Sequence, residues 1–389
     1  MRWRGGASRL AGCCALLAAG AALASCAGGS GGNSAGSNSP AGTSPARASP
    51  GSASPGKASP GSTSPASSPG RTKIIGIAQF ALPPAGQGCT GARRLPGGGT
   101  SIPVTVSTRQ SQVAAMANVC INGQGPFPFI IDTGAQGSVV TAALATRLGL
   151  PKIGPPVLIG GAGCSARAQV SMTSAWNVAG LALQPQYVTY LKIPLFGGRG
   201  QPDGLLGSDV WSRFGAMRLD FARGRVTVPG PEQPGPTGKT TISRPATVPV
   251  PASLLRAKPA ATAPMTVTSQ PGSTAVSVKI RFGTQPPLAF TPDTGASQSA
   301  VDTAAAARAG LASTNARVRQ GTVCTIAVLP EVRTGPWSVA GHRLRPQPVG
   351  VIGLQRTTGV AGLLGADQMS RFGSVIFDYA GGRLVLGAG

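Results

Sequence analysis

The sequence predicts an all-β protein of two similar lobes with a few short helices. Two observations carry that prediction. The first is an internal repeat. Pro103 placed over Pro264 sets an offset of 161, which carries Thr105-Val106 onto Thr266-Val267 and Asp132-Thr133-Gly134-Ala135 onto Asp293-Thr294-Gly295-Ala296. It also brings Gly149-Leu150 onto Gly310-Leu311 and Trp176 onto Trp337. After a three-residue contraction, Gly204-Leu205-Leu206-Gly207 falls on Gly362-Leu363-Leu364-Gly365, and Ser212-Arg213-Phe214-Gly215 on Ser370-Arg371-Phe372-Gly373. Two copies imply two lobes about a pseudo-twofold axis, since a solenoid needs three or more. The second observation is period-two hydrophobicity, the mark of strands, broken by turn residues.

The elements follow in chain order. Val113, Ala115, Ala117, Val119 and Ile121 alternate with smaller or polar residues, and Asn122-Gly123 turns the chain. Phe127, Phe129 and Ile131 then line one face of a strand that delivers Asp132. Residues 141–149 read as a short helix, with Thr141 (Asp302 in the second copy) at its N-cap and Gly149 or Gly310 at its end. Second short helices are predicted at 208–215 and 366–373. Leu219 to Val226 reads as a hairpin with Gly224 at the bend. The lobes span 71–230 and 264–389, and the Pro-rich stretch 231–263 connects them.

The N-terminus reads as a targeting segment. Arg2, Arg4 and Arg9 precede an apolar stretch too short to span a bilayer. It ends in Leu23-Ala24-Ser25-Cys26, which resembles a bacterial lipobox. Residues 1–25 are then a lipoprotein signal peptide, Cys26 is the lipidated mature N-terminus, and the protein is anchored outside the cytoplasm. Residues 26–70, of Ser, Pro, Gly, Ala and Thr, bury too little apolar surface to fold and form a disordered tether.

Composition narrows the chemistry. The 389 residues carry 34 Lys and Arg against 10 Asp and Glu, a net charge of +24, and one histidine. A multi-histidine metal site is excluded, and a Ser-His-Asp or Cys-His centre would have to use His342. No metal or cofactor is expected. The cations are scattered and aromatics make up 4% of the chain, so a nucleic-acid partner is not expected either.

The paired Asp-Thr-Gly-Ala tetrapeptides are the informative motif. With an apolar strand entering each, a later Gly-Leu-Leu-Gly and a terminal Asp-containing hairpin, the sequence resembles aspartic proteases of the pepsin and retropepsin group from about residue 100 to 389. The resemblance implies a single-chain, monomeric, bilobal acid-protease fold of two retropepsin-like lobes, cutting peptide or protein substrates between them. Asp132 and Asp293 would be the catalytic pair. Thr133 and Thr294 would cross-link the two loops. Gly134 and Gly295 would let backbone N–H groups approach the carboxylates. Leu158-Ile159-Gly160-Gly161-Ala162-Gly163 is similar to a glycine-rich flap, with Ile159, Gly160, Gly161 and Gly163 over the site. The second repeat has only Gly321 before Cys324, so a single flap is expected.

Carboxylates about 3 Å apart cannot both ionise, so they share one proton. Ala135 and Ala296 offer no hydroxyl to the ionised form, which predicts an optimum in mild acid. Pro292 lacks a backbone donor and is expected only at an edge or strand end. A catalytically silent peptide-binding or cell-envelope scaffold is the rival reading. Asp209, Asp367, Asp220 and Asp378 read as helix-start and hairpin residues, Trp176 and Trp337 as core, and His342 as surface.

Seven cysteines are present. Cys13 and Cys14 leave with the signal peptide and Cys26 is lipidated, which leaves Cys89, Cys120, Cys164 and Cys324 with three possible pairings. Cys164 and Cys324 occupy nearly equivalent positions in the two repeats. One option is a bridge between them across the cleft, leaving Cys89 to Cys120. Free thiols or another pairing are the alternatives.

Overall fold

A computed structural model describes residues 88–96, 98–109, 111–194, 201–354 and 359–387, together with the backbone of 72–73. The segments expected to be a signal peptide and a tether, and Cys26 between them, lie outside the described residues. The structure is mostly β with a few short helices, and its two repeats form a bilobal fold.

Both repeats build the same sheet. In the first, the strand order is Leu181–Leu183, Trp176–Val178, Gln112–Ile121, Gln124–Ile131, Gly204–Leu206, Val139–Thr141, Gln186–Leu191, Cys164–Thr173 and Ile153–Gly161. The second repeats that order with His342–Leu344, Trp337–Val339, Ser273–Phe282, Leu288–Asp293, Gly362–Gly365, Ala300–Asp302, Pro348–Ile352, Ile326–Arg333 and Ala312–Gly321. The strand entering each Asp-Thr-Gly runs parallel to the Gly-Leu-Leu segment. Close packing explains the first glycine of that segment: a Cβ on Gly204 or Gly362 would strike the ring of Phe129 or Phe290.

A third sheet joins the lobes. Its antiparallel order is Thr100–Pro103, Arg225–Val228, Ala216–Asp220, Ser374–Asp378, Arg383–Leu386 and Ala261–Gln270. At its centre Arg218 faces Ile376, residues the 158 offset makes equivalent (376 − 218), so the pseudo-twofold axis passes between them. The Asp220 and Asp378 side chains accept hydrogen bonds from the backbone N–H groups of Arg223 and Gly381, and so form the hairpin turns.

Helices occupy Ala142–Arg147 and Thr303–Arg308, with Thr141 accepting from the N–H of Leu144 and Asp302 from that of Ala304. The second pair is shorter: Ser208–Trp211 and Ala366–Met369, each tightening into a 3-10 turn. Trp176 and Trp337 are buried, their indole N–H groups donating to the carbonyls of Gln184 and Arg345.

Two expectations need amendment. Gln112–Ile121 is buried on both faces. Its Val113, Ala115, Ala117, Val119 and Ile121 join the main core, while Met116 joins a second cluster under the cleft. Alternation therefore sorts residues between two buried layers, not between core and water. His342 is half-buried against the ring of Phe372, 5.1 Å between centroids. The Pro-rich connection is ordered on the lobes. Glu232 pairs with Arg213 at 2.9 Å, Thr240–Ile242 adds to Ala261–Gln270, and Leu254 is fully buried against Ala216, Ile376 and Val385. Backbone pairing also places Thr72–Lys73 beside Ala312–Gly321 of the second repeat.

Candidate active site

The two Asp-Thr-Gly-Ala loops meet face to face between the lobes. Each is locked to the other through its threonine. The N–H of Thr133 donates to Thr294 Oγ1 and that of Thr294 to Thr133 Oγ1, both at 3.1 Å. The hydroxyls then donate across to main-chain carbonyls, Thr133 to Pro292 at 2.8 Å and Thr294 to Ile131 at 2.7 Å. Pro292 sits one residue before the end of its strand, and what the lock uses is its carbonyl. The donor that proline lacks is not part of this arrangement.

Each aspartate is held by its own loop. Gly134 and Ala135 donate backbone N–H groups to Asp132 Oδ1 at 3.0 and 2.9 Å, and Gly295 and Ala296 do the same for Asp293 Oδ1 at 2.9 and 2.8 Å. A Cβ on Gly134 would land on the carboxyl of Asp293, and one on Gly295 on that of Asp132. The glycines are the surface against which the opposite carboxyl lies.

Burial and the charge of Asp293 push Asp132 well above the ordinary carboxylate range, and the loop N–H groups pull the other way. Burial raises Asp293 too, opposed by the N–H groups of its loop and a hydrogen bond between the two carboxyls. The pair therefore retains one proton under conditions in which isolated aspartates are ionised, and it titrates as a unit.

Behind the dyad lies bracing that sequence reasoning did not assign. Asp209 accepts from the N–H and hydroxyl of Ser138 at 3.0 and 2.8 Å and from Gln186 Nε2 at 2.7 Å. Asp367 accepts from the N–H and hydroxyl of Ser299 at 2.9 and 2.8 Å and from Gln347 Nε2. Each Ser Oγ also accepts the N–H of the last glycine of Gly-Leu-Leu-Gly. These aspartates do stand in helix first turns, but their contacts tie those helices to the loops bearing Asp132 and Asp293. The matched pairs Ser138/Ser299 and Gln186/Gln347 were the available signal. One brace breaks the symmetry: Ser208 donates to the carbonyl of Thr133 and contacts the hydroxyl of Tyr379 at 3.0 Å. Burial raises the Tyr379 phenol, so it stays protonated.

Over the dyad is a cavity of about 340 Å³. Apolar side chains line it on both sides, Ile130, Val139, Ile193 and Leu205 from one lobe and Leu354, Val360 and Leu363 from the other, beside polar ones such as Gln112, Gln136, Gln298 and Gln320. Among the described residues lining it, Arg319 is the only cation, and the only carboxylates are Asp132 and Asp293. Ile159, Gly160 and Gly161 also line it, while Gly163 packs beside Ile352. The expected single flap is corrected here. Hairpin Ala312–Gly321/Ile326–Arg333 matches Ile153–Gly161/Cys164–Thr173, and its Gln320 to Val323 line the same cavity. Its turn is built by the Thr322 hydroxyl, which accepts from the N–H groups of Cys324 and Thr325, in place of glycines. Cys164 is bonded to Cys324 between the two flap tips, and Cys89 to Cys120. No group of His, Cys, Asp and Glu that could hold a metal occurs among the described residues.

Residues 117–210 and 276–368 each match the model of a family described as aspartyl protease. No curated protein matches the chain.

Proposed function

We propose that the two matched repeats make a retropepsin-like aspartyl protease unit, an aspartic endopeptidase working through Asp132 and Asp293. The observation that carries this reading is the meeting of the two loops, with raised and shared titration of their carboxyls. A water between the carboxyls loses a proton to the ionised one as it attacks the scissile carbonyl. The protonated carboxyl hydrogen-bonds the carbonyl oxygen and gives it the proton. The tetrahedral diol then collapses: the amine leaves with a proton from the first carboxyl, a diol hydroxyl returns its proton to the second, and the starting state returns. No covalent intermediate forms. The apolar lining favours apolar side chains on both sides of the cut.

Cleavage of an unstructured peptide library by the purified chain tests the reading, with Asp132→Asn and Asp293→Asn for comparison. Each substitution should lower kcat by about a thousandfold or more, because neither residual carboxyl can act as both acid and base. The wild-type optimum should fall in mild acid. Peptide binding without cleavage anywhere from pH 3 to 7 would instead favour the silent module.

From the lipobox-like Leu23-Ala24-Ser25-Cys26 we also propose that the unit sits outside the cytoplasm on a lipid carried by Cys26. Two disulfides suit an oxidising compartment. Cys26→Ser should move the protein from the membrane to the soluble fraction of its host, as judged by fractionation and immunoblotting.

A further inference from the structure

We propose that the substrate is a flexible polypeptide with a free end, threaded as one extended chain beneath the disulfide that joins the two flaps. The proposal rests on the endopeptidase reading and narrows its substrate class.

The flap tips cross. Ala162, at the tip of the first, packs into the second lobe's cluster with Leu329, Ile352 and Leu363. Val323, at the tip of the second, packs into the first lobe's cluster with Ile130, Val139 and Ile159. Between them Cys164 and Cys324 are bonded, with Cα atoms 6.1 Å apart, and Thr322 Oγ1 lies 3.2 Å from Cys164 Sγ. A disulfide holds its Cα atoms within about 7 Å, so the flaps cannot part while it is intact.

The floor is equally closed. The chain from Cys164 to Cys324 runs through Ala216–Asp220, Arg225–Val228 and Ala261–Gln270 of the interlobe sheet and then through Asp293. Tyr379, just after another strand of that sheet, reaches the dyad loops through buried Ser208 and Thr133, away from the cavity. The disulfide therefore completes a covalent ring around the space above the aspartates. At about 340 Å³ the cavity is at the small end of ligand pockets, which span about 300–1,000 Å³. A doubled chain needs strands about 4.8 Å apart, and a helix is about 10 Å wide. One extended strand suits the space. A bond within a folded protein or a closed loop can reach the dyad only if a chain end is passed through first.

The test presents one cleavable segment in four ways: as a linear peptide, with one end fused to a folded domain, with folded domains at both ends, and as a cyclic peptide. Wild type should cut the first two. It should cut the doubly blocked and cyclic forms about a hundredfold or more slowly, since an unthreaded bond never meets the dyad. In Cys164→Ser/Cys324→Ser the ratio of blocked to linear cleavage should rise towards one. If that variant does not fold, brief reduction of wild type with a phosphine should raise the same ratio. Wild type cutting the doubly blocked and linear substrates at similar rates overturns the proposal. Failure to cut even the linear peptide counts against the endopeptidase reading instead, and fluorescence anisotropy then decides the tunnel. Linear peptide bound and doubly blocked peptide excluded supports it. Equal behaviour of the two towards wild type, whether both bind or neither, overturns it.

Discussion

A single methyl group at Gly134 or Gly295 is enough to push the two carboxyls apart. Each α-carbon faces the opposite aspartate so closely that an added Cβ would lie only 2.2 to 2.3 Å from its carboxyl carbon. Gly134→Ala and Gly295→Ala should each lower kcat about a hundredfold or more, the scale of a displacement near 1 Å. The threonine lock remains, so the melting temperature should fall much less than activity does. Measuring kcat beside thermal unfolding checks both halves, and an Ala variant with wild-type kcat would contradict this account of the dyad. At this scale the sequence was legible where a motif recurs, as in the Asp-Thr-Gly-Ala loops that bring Asp132 and Asp293 face to face. It was not legible for Ser138 with Asp209, or Ser299 with Asp367. Those residues are matched in the repeat, but a repeat tells which residues recur and not which ones touch. Contacts between positions 71 and 68 residues apart need the fold.

Elements were legible in proportion to how local their causes are. The helix caps at Thr141 and Asp302 involve neighbours in sequence and could be read directly. The second flap could not, because its turn uses a threonine hydroxyl where the first uses glycines. The connection between lobes looked like a linker because its prolines dominate, whereas one leucine, Leu254, pins it to the interlobe sheet. The Cys89–Cys120 bridge has a comparable anchoring task. It ties the segment before Thr100–Pro103 to the central strand Gln112–Ile121 across a sequence separation of 31. Loop closure of that length is worth roughly 3–4 kcal/mol in the unfolded-chain account. Cys89→Ser/Cys120→Ser should lose about that much stability in denaturant unfolding, with the cleavage preference for linear over doubly blocked substrate unchanged. A variant as stable as wild type would show that the 88–96 segment is held by its other contacts, such as the N–H of Ala92 on the carbonyl of Ala179.

At the scale of the whole molecule, six buried or half-buried acids shape how stability follows pH. Burial raises Asp209 and Asp367 to about 6, and it raises the dyad, Asp203 and Glu232 in the same direction. Unfolded aspartates titrate near 3.9. Between about pH 4 and 6 the folded protein therefore binds more protons than the unfolded chain, and its stability falls as pH rises through that window. The contribution is fully present below about pH 4 and lost above about 6, at most roughly 3 kcal/mol for each of Asp209 and Asp367. Protonation also removes the few negative charges from a chain of net charge +24, and the added self-repulsion works against the gain. Salt near 0.15 M screens much of that repulsion between exposed groups, with a Debye length of about 8 Å. Comparing wild type with Asp209→Asn/Asp367→Asn removes the remainder, since repulsion among the surface cations is common to both. Chemical denaturation at pH 4 and pH 7 should show wild type gaining several kcal/mol more than the double variant on acidification, on the order of the two linkage contributions together. Parallel pH curves would mean that these two carboxylates are ionised throughout, held by their serine and glutamine donors. The braces of the active loops would then owe nothing to acid, and the expected mild-acid optimum would rest on Asp132 and Asp293 alone.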